Sequence, residues 1–518
     1  MTAHRAIAQA TPNIDPSERV YRDIDRLVTA GLIDTVIVGS RPYSRREIRR
    51  LLNEAKRNLD RLRGSHAWAE HTIAIDLETY AERPIRAIDA ARLDVARAGA
   101  PPRPAPSDPN GFIRANIDPL VANRGGRPIF DGTFTNTLET FHSASVAPWL
   151  AVAVNPRLSF ETPERNRPIG DSSVFALQTG SVNALFGNFS LEVGRDYTLF
   201  GQSPTGGLLL SENAPSLDMI RVSNDMPAAL PWWFRYLGPM RGVAFVADMG
   251  HDAFHPHARL IGYHLSVLPH PRLELGIEVT DALGGGGAPS FTAGQAVVDA
   301  FPFIDPILRH RSGFVSNKFF GGDIRWRVPG VTGLELYGES ALDDFDARRL
   351  SSSLFEDGGY IFGAHAACLI ECGRLGVRAE FHQTGIRYYT HGDYDMAVRN
   401  WILGDPLGPR ALGGYLTVDG DAGKAGEFSL TGAHEVRNGN SYSSDVTGAD
   451  TRGFHFVLVS RRPFEQRSRV VASWITGPRN QHLDVKWSAG AERVTNFNFV
   501  DGQSRTNGLF EVNVEYRP

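Results

Sequence analysis

Apolar and charged residues alternate one by one in many short segments after about residue 110, and this alternation limits the fold more than any other feature of the chain. Residues 272–280 place leucine, isoleucine and valine on one side and Glu274 and Glu278 on the other. The same pattern recurs in residues 323–328, 374–381 and 510–516. Because successive side chains of a strand point to opposite faces, each segment is predicted to be a β-strand with one apolar and one charged face.

The chain has no run of roughly 18 consecutive apolar residues, the length that a membrane-spanning helix needs. If it crosses a membrane, it must therefore do so as a closed barrel, since only helices and barrels satisfy every backbone group in lipid. A soluble barrel or sandwich alternates in the same way, with its apolar face turned inward. The pattern alone leaves both open. A propeller repeat is not found.

The predicted connections alternate between short turns and long polar stretches. Short turns are expected at 186–188, 269–271, 329–333 and 371–374, and long ones at 281–316, 341–359 and 388–410. Bacterial outer-membrane barrels have short turns on the periplasmic side and long loops outside. About nineteen segments qualify as strands, but a barrel with both ends in the periplasm needs an even number. The weak segment 218–223 is the first to be discarded, which leaves about 18 antiparallel strands.

Residues 15–100 follow a helical pattern instead. Asp15, followed by Pro16, is predicted to cap a first helix, Ser44 a second, and a third helix is expected at about 66–81. The Pro-rich tract 101–110 is the predicted linker to a barrel at 111–518. Residues 1–14 contain Ala8-Gln9-Ala10, which is typical of a signal-peptidase site but also fits an ordinary N-terminal tail.

The composition indicates which kinds of partner are not expected. The 54 basic and 58 acidic residues leave a net charge of −4, which does not indicate nucleic-acid binding. The two cysteines, Cys368 and Cys372, are four residues apart. Across a tight turn they could form a disulfide in an oxidising compartment, and two free thiols fit the sequence equally well.

Several segments form an ordered set along the chain: Leu27 with Gly31-Leu32, then RPYSR at 41–45, GNFSLEVGR at 187–195, LLLSENAP at 208–215, LGP at 237–239 and LGDPLGP at 403–409. In this order and spacing they resemble the Wzi-like capsule-assembly family of outer-membrane proteins. The resemblance covers nearly the whole chain. It implies an all-β transmembrane barrel of eighteen strands with an N-terminal α-helical periplasmic domain, in the outer membrane of a Gram-negative bacterium. It also implies a lectin that binds capsular polysaccharide and no catalysis.

In this topology the charged strand faces point into the barrel. Opposite charges on neighbouring strands can pair there, so a structural network that fills the lumen is expected ahead of a substrate path. The residues assigned to it are Glu274, Glu278, Arg325, Arg327, Glu335, Glu339, Arg378 and Glu380.

Two groups are the candidates for carbohydrate binding. Arg195 and Asp196 end a strand on the outer side, where arginine suits hydroxyl or carboxylate recognition, although a local ion pair is the competing interpretation. An aromatic and polar stretch in a predicted external loop is the other, with the membrane-interface aromatic girdle as its competitor. Its members are Tyr388, Tyr389, His391, Asp393, Tyr394 and Trp401.

Other chemistry is weakly indicated. His251, His255 and His257 with Asp252 have irregular spacing for a metal site, and neither a metal nor a cofactor is expected. No G-x-S-x-G motif marks a serine hydrolase. The expected partners are capsular or extracellular polysaccharide, outer-membrane lipids and the barrel-assembly machinery, with the protein as a monomer. The alternative function is a porin-like channel for small solutes.

Overall fold

The computed structural model describes most of the chain. The described residues are 10–62, 67–82, 89–98, 134–162, 173–251, 253, 255–290, 292, 294, 316–343, 354–390, 394, 396–398, 401–445, 455–477 and 482–518.

Eighteen long antiparallel strands within these residues form one closed barrel, in which each strand pairs with its neighbours in sequence. They are β1 Ala90–Ala98, β2 Phe134–Ala147, β3 Leu150–Thr162, β4 Ser173–Phe186, β5 Phe189–Asp196, β6 Leu217–Asn224, β7 Pro239–Asp248, β8 Arg259–His270, β9 Leu273–Leu283, β10 Asn317–Arg327, β11 Leu334–Asp343, β12 Gly358–Ala366, β13 Gly376–Thr384, β14 Ala411–Asp421, β15 Gly426–Arg437, β16 Glu465–Thr476, β17 Leu483–Thr495 and β18 Ser504–Tyr516. The barrel closes where β1 pairs with β18, with Ala91 opposite Tyr516.

Shorter elements occupy the connections. Two-residue strands lie at Ser40–Arg41, Leu199–Phe200, Ala228–Ala229, Ala397–Val398 and Trp401–Ile402, and a hairpin is formed by Ser441–Asp445 and His455–Ser460. Single 3₁₀ turns occur at Leu59–Arg61, Trp232–Leu237, Gly423–Ala425 and Phe497–Phe499. The predicted alternation of short turns and long loops is confirmed for most connections, and the short turns share one end of the barrel, which we call the short-turn end. The connection at 225–238, between β6 and β7, lies at the same end and is longer.

The strand faces point as a membrane barrel requires. Ile277 and Trp326 are 44% and 40% exposed on the outside, whereas Glu278 and Arg325 are 1% and 5% exposed inside. An apolar outer surface with enclosed charges is the reverse of a soluble barrel. This orientation decides between the two folds that the alternation left open.

Three helices precede the barrel. They are α1 Arg19–Thr29, α2 Arg45–Arg57 and α3 Ala67–Asp76, and α3 is followed directly by a π-helical segment at Leu77–Glu82. The predicted cap of α2 is confirmed, because Ser44 Oγ accepts a hydrogen bond from Glu47 N at 3.1 Å. α1 begins later than predicted, at Arg19, since Asp15 Oδ1 accepts from Ser17 N and forms a turn before the helix. Within the described residues, none of the helices has the length and apolar content needed to cross a membrane.

The helices form one apolar cluster with the segment that joins them, and this unit sits in the short-turn end of the barrel. Its core contains Leu27, Leu32, Ile48, Leu51 and Ile73. Outside this core, Arg22 of α1 reaches Glu427 on β15 at 2.9 Å. We call residues 10–62 and 67–82 the plug.

Two predictions about the barrel strands are wrong. The barrel starts at β1, which lies before the Pro-rich tract and inside the predicted helical domain, because Ala90–Ala98 pairs with both β2 and β18. The discarded segment 218–223 belongs to β6, which pairs with β5 and β7. Its alternation is weak because Met219 faces inward and Asp218 outward. The tract 101–110 lies outside the described residues.

The cysteines resolve the alternative that the sequence left open. Cys368 and Cys372 form a disulfide across the turn between β12 and β13. Both pack against the apolar cluster of the plug, beside Trp68. The disulfide therefore lies where this turn meets the plug.

Candidate functional site

The charged wall of the barrel binds the plug. Arg325 donates two hydrogen bonds to Glu335 on the next strand, at 2.9 and 2.7 Å, and one to Asp25 of α1 at 2.7 Å. Arg378 also donates to Asp25. Burial alone would raise the pKa of Asp25, but Arg325 and Arg378 hold it well below its usual value. Asp25 is thus a fixed anion between two guanidinium groups.

Arg327 and Glu274 hold the chain that follows α1. Arg327 donates to Asp34 at 2.8 Å, and Glu274 accepts from the backbone N–H groups of Val38 and Gly39 at 2.9 and 2.8 Å. A carboxylate that accepts several N–H donors is well stabilised when buried. The inward residues of the wall therefore find partners on the plug as well as on neighbouring strands.

A long connection on the opposite end, residues 197–216, folds inward and meets the plug. Its short strand Leu199–Phe200 pairs with Ser40–Arg41. Glu339 accepts from the N–H groups of Gln202, Ser203 and Leu208, at 2.6, 2.7 and 3.1 Å. Glu380 accepts from Ser203 Oγ at 2.8 Å. We call residues 197–216 the inner loop.

The loop after β13 covers the inner loop. Tyr388 and Tyr389 are fully buried, and both hydroxyls donate to the carbonyl of Leu208, at 3.2 and 2.5 Å. Tyr394 is also buried in this apolar cluster. In this arrangement the three tyrosines brace two loops and present no open ring face to a sugar. Carbohydrate contact by them stays a prediction that requires the loop to move.

Arg195 and Asp196 do not form a joint site. Arg195 points to the outside of β5 and pairs with Asp218 directly opposite on β6, at 2.6 Å. Asp196 points inward, where Arg221 and Asn13 donate to it at 3.0 and 3.1 Å. The first is the local ion pair that competed with sugar binding, and the second helps to hold the plug.

Of the remaining predicted carbohydrate residues, the structure describes Trp401. Trp401 is partly buried, packs on the apolar cluster and belongs to a two-residue strand paired with Ala397–Val398. His391 and Asp393 lie outside the described residues. Trp401 is therefore the described aromatic candidate that keeps some solvent exposure.

The histidines of the β7–β8 loop are dispersed. The rings of His251 and His257 lie 6.2 Å apart, while His255 lies beside Tyr394 and is close to the carbonyl of Gly286, at 3.1 Å. His257 is close to Asp248, at 3.2 Å. Asp252 lies outside the described residues. Within the described residues these histidines do not form a three-ligand group.

The plug and the inner loop were not predicted as parts of the barrel interior. In α1, Asp23, Asp25 and Arg26 are charged yet buried, and no pattern in the sequence indicates this burial. A charged helix face normally indicates that this face is exposed to solvent. Here it faces charged residues of the wall that are far away in sequence, as with Asp25 and Arg325, which are 300 residues apart.

A family model described as capsule assembly protein Wzi matches residues 114–509. The chain belongs to this family. As a Wzi family member with an apolar outer barrel surface, it is an outer-membrane protein, with the plug at the periplasmic end and the long loops at the cell surface. No curated protein matches the chain in sequence.

Solved structures with similar architecture include Wzi of Escherichia coli, which is 17% identical, with 98% of this chain and 99% of that chain covered and a TM-score of 0.68. That protein is described as an outer-membrane protein involved in group 1 capsule assembly and as a carbohydrate-binding β-barrel. OccAB1 of Acinetobacter baumannii is 11% identical, over 85% and 99% of the two chains, with a TM-score of 0.46. OprD of Pseudomonas aeruginosa is 9% identical, over 84% and 96%, with a TM-score of 0.43.

Proposed function

We propose that this Wzi family member binds capsular or extracellular polysaccharide at the cell surface and helps to attach or assemble it there. Membership of the family supports a role in capsule assembly. The E. coli structure with the same fold is described as carbohydrate-binding, which supports a polysaccharide as the ligand.

The observation that carries the proposal is the occupied interior. The plug occupies the periplasmic end, the inner loop meets it at Gly39, whose carbonyl accepts from Gly201 N at 3.0 Å, and the loop after β13 covers the inner loop. Solute flow needs a continuous aqueous path, and these segments take up part of the space through which it would run. Binding at the outer end needs no such path.

The outer loops supply the proposed contacts. Trp401 offers a partly exposed ring beside the buried tyrosine cluster, in the same loop as His391 and Asp393. Aromatic rings are amphipathic and stack on apolar surfaces, while imidazole and carboxylate groups hydrogen-bond to hydroxyls. We assign Trp401 as the first residue to test, with Tyr388, Tyr389 and Tyr394 holding its loop in place.

The protein is proposed to bind without cleaving. Buried carboxylates such as Asp25 and Glu339 are engaged with arginines or backbone donors, and these contacts lie between barrel, plug and inner loop. We further propose that it acts as a monomer, is inserted by the barrel-assembly machinery and contacts outer-membrane lipids through its apolar surface.

The test is capsule retention in a capsulated host that lacks its own copy. Wild-type protein should restore cell-attached polysaccharide, Trp401→Ala should release several-fold more into the medium, and Trp401→Phe should behave as wild type because it keeps the ring. Total polysaccharide should be equal in all strains. Unchanged attachment in the strain without the protein would contradict the proposal.

Conductance measurements distinguish polysaccharide binding from the alternative function, a porin-like channel. Purified wild-type protein in planar bilayers should show no large steady openings. Such openings, together with unchanged capsule retention, would favour the porin-like channel.

A further inference from the structure

Three buried side chains on neighbouring strands converge inside the barrel. His264 on β8 lies directly opposite Glu278 on β9, and Asp323 projects from β10. One ligand atom from each of the three lies within 4.8 Å of the other two. The residues are 2%, 1% and 5% exposed.

The negative charge of this group is not compensated by the described protein. Both carboxylate oxygens of Glu278 are buried without a hydrogen-bond partner among the described residues, and so is His264 Nδ1. Asp323 Oδ2 lies 3.0 Å from His264 Nε2, and within the described part of the chain it has no salt bridge to lysine or arginine. A buried carboxylate without a partner is strongly disfavoured unless it gains a proton or a cation.

In a second triad of the same barrel, arginines compensate the negative charge of the carboxylates. Asp25, Glu335 and His365 also bring ligand atoms within 4.8 Å of one another in a buried position. There, Arg325 binds Asp25 and Glu335, and Arg378 binds Asp25. The two triads have the same composition, one imidazole and two carboxylates, and only the second has guanidinium groups.

Glycines leave room for the uncompensated carboxylates. A Cβ at Gly276 would lie 1.9 Å from Asp323 Oδ2, and one at Gly321 would lie 2.9 Å from Glu278 Oε1. The inner loop adds another oxygen, because Gln202 donates through Nε2 to Asp323 and its Oε1 is buried without a partner among the described residues. The ring of Phe200, also in the inner loop, stacks on His264 with centroids 4.8 Å apart.

We propose that His264, Glu278 and Asp323 bind one divalent transition-metal cation, with Zn²⁺ as the best match. One imidazole nitrogen with carboxylate oxygens is a ligand set that Zn²⁺ uses, whereas Ca²⁺ and Mg²⁺ prefer oxygen alone. The ion supplies the positive charge that Arg325 and Arg378 supply in the other triad. Because Gln202 and Phe200 contact the ligands, the bound ion fastens the inner loop to the wall.

The experiment measures metal content and stability of the full-length protein in detergent. After incubation with Zn²⁺ and dialysis, elemental analysis should find about one zinc per chain, and a strong chelator should lower the unfolding temperature. Glu278→Gln keeps the shape but removes the charge. It should bind Zn²⁺ at least about 100-fold more weakly and lose the chelator effect.

Glu335→Gln is the matched control, because it makes the same change in the triad that arginines compensate. It should keep the zinc even where it lowers the unfolding temperature. Heat-modifiable migration of both variants on gels will confirm that the barrel is folded. If the wild type retains no zinc, and Glu278→Gln is at least as stable, Glu278 is a protonated acid and the proposal is overturned. If Glu278→Gln retains as much zinc as the wild type, the ion sits elsewhere and the proposal is equally overturned.

Discussion

Asp25 and Arg325 are 300 residues apart in sequence and form a hydrogen-bonded ion pair of 2.7 Å inside the barrel. One belongs to the first helix and the other to the tenth strand. The pair shows how the plug is held, since charges that the strands turn inward are matched by charges on the buried face of α1.

We expect Asp25→Asn to destabilise the protein by roughly 3 kcal/mol, because removing one partner leaves Arg325 and Arg378 buried with incomplete compensation. Chemical denaturation in detergent micelles, followed by tryptophan fluorescence, will measure the free energy of unfolding. Asp60→Asn is the control in the same segment, at an exposed position, and should change stability by less than about 0.5 kcal/mol. Equal effects of the two changes would show that the plug does not depend on this ion pair.

The stability of the plug should depend on pH through Glu18. Burial and the negative charge of Glu515 raise the pKa of Glu18 to about 7, from its ordinary value of 4.5. A carboxyl with a raised pKa in the folded state contributes stability that is complete below pH 4.5 and is lost as the pH rises through 7. Glu18→Gln should therefore be more stable than the wild type at pH 8, and this advantage should disappear at pH 4.5.

Unfolding temperatures of both proteins across pH 4–9 will measure the difference. Because the two chains share every other titrating group, the difference between their curves reports on Glu18 together with Glu515, whose charge acts on it. A constant difference at all pH values would contradict the raised pKa.

The strand pattern was readable from the sequence because it depends on neighbours. Glu274 and Glu278 alternate with apolar residues that are spaced two apart. Strand geometry alone therefore places both glutamates on the same face of the strand. The strand at Ala90–Ala98 was assigned to the helical domain because it is rich in alanine and precedes the Pro-rich tract. Only its pairing with β18, at the other end of the chain, identifies it as the first barrel strand.

The contents of the barrel could not be predicted from the sequence, because they depend on contacts between residues that are far apart in the chain. Tyr388 and Tyr389 have the composition of a sugar-binding loop, and their burial depends on Leu208, 180 residues earlier. Likewise, Asp25 has the sequence context of a solvated helix face. Long-range contacts of this kind leave no periodic trace in the chain.

Gly276→Ala should destabilise the barrel by roughly 1–3 kcal/mol, because the added methyl group would overlap the carboxylate of Asp323. Gly432→Ala is the matched control, in a strand where a Cβ would meet no atom within 4 Å. It should be neutral or slightly stabilising. Heat-modified migration on gels at graded temperatures will compare the two, and equal midpoints would contradict the close packing at Gly276.

The disulfide is expected to be present in protein isolated from the outer membrane, because it forms in the oxidising periplasm. Maleimide labelling of the denatured chain should modify no cysteine before reduction and two after it, since Cys368 and Cys372 are the only cysteines. Replacing both with serine should cost roughly 2 kcal/mol, in part because the turn packs on the plug. Labelling without a reductant would show that the thiols are free.

The closure of the barrel between β1 and β18 has a consequence for truncated forms of the protein. A chain that stops before residue 504 would lack β18 and would leave its two neighbours, β1 and β17, each with an open edge, and open edges favour aggregation. It would also lose Arg517, which donates to the hydroxyl of Tyr80 in the plug at 3.1 Å. Loss of residues 504–518 would thus open the wall of the barrel and remove a contact of the plug together, so a nonsense mutation just before residue 504 should be as damaging as an early one.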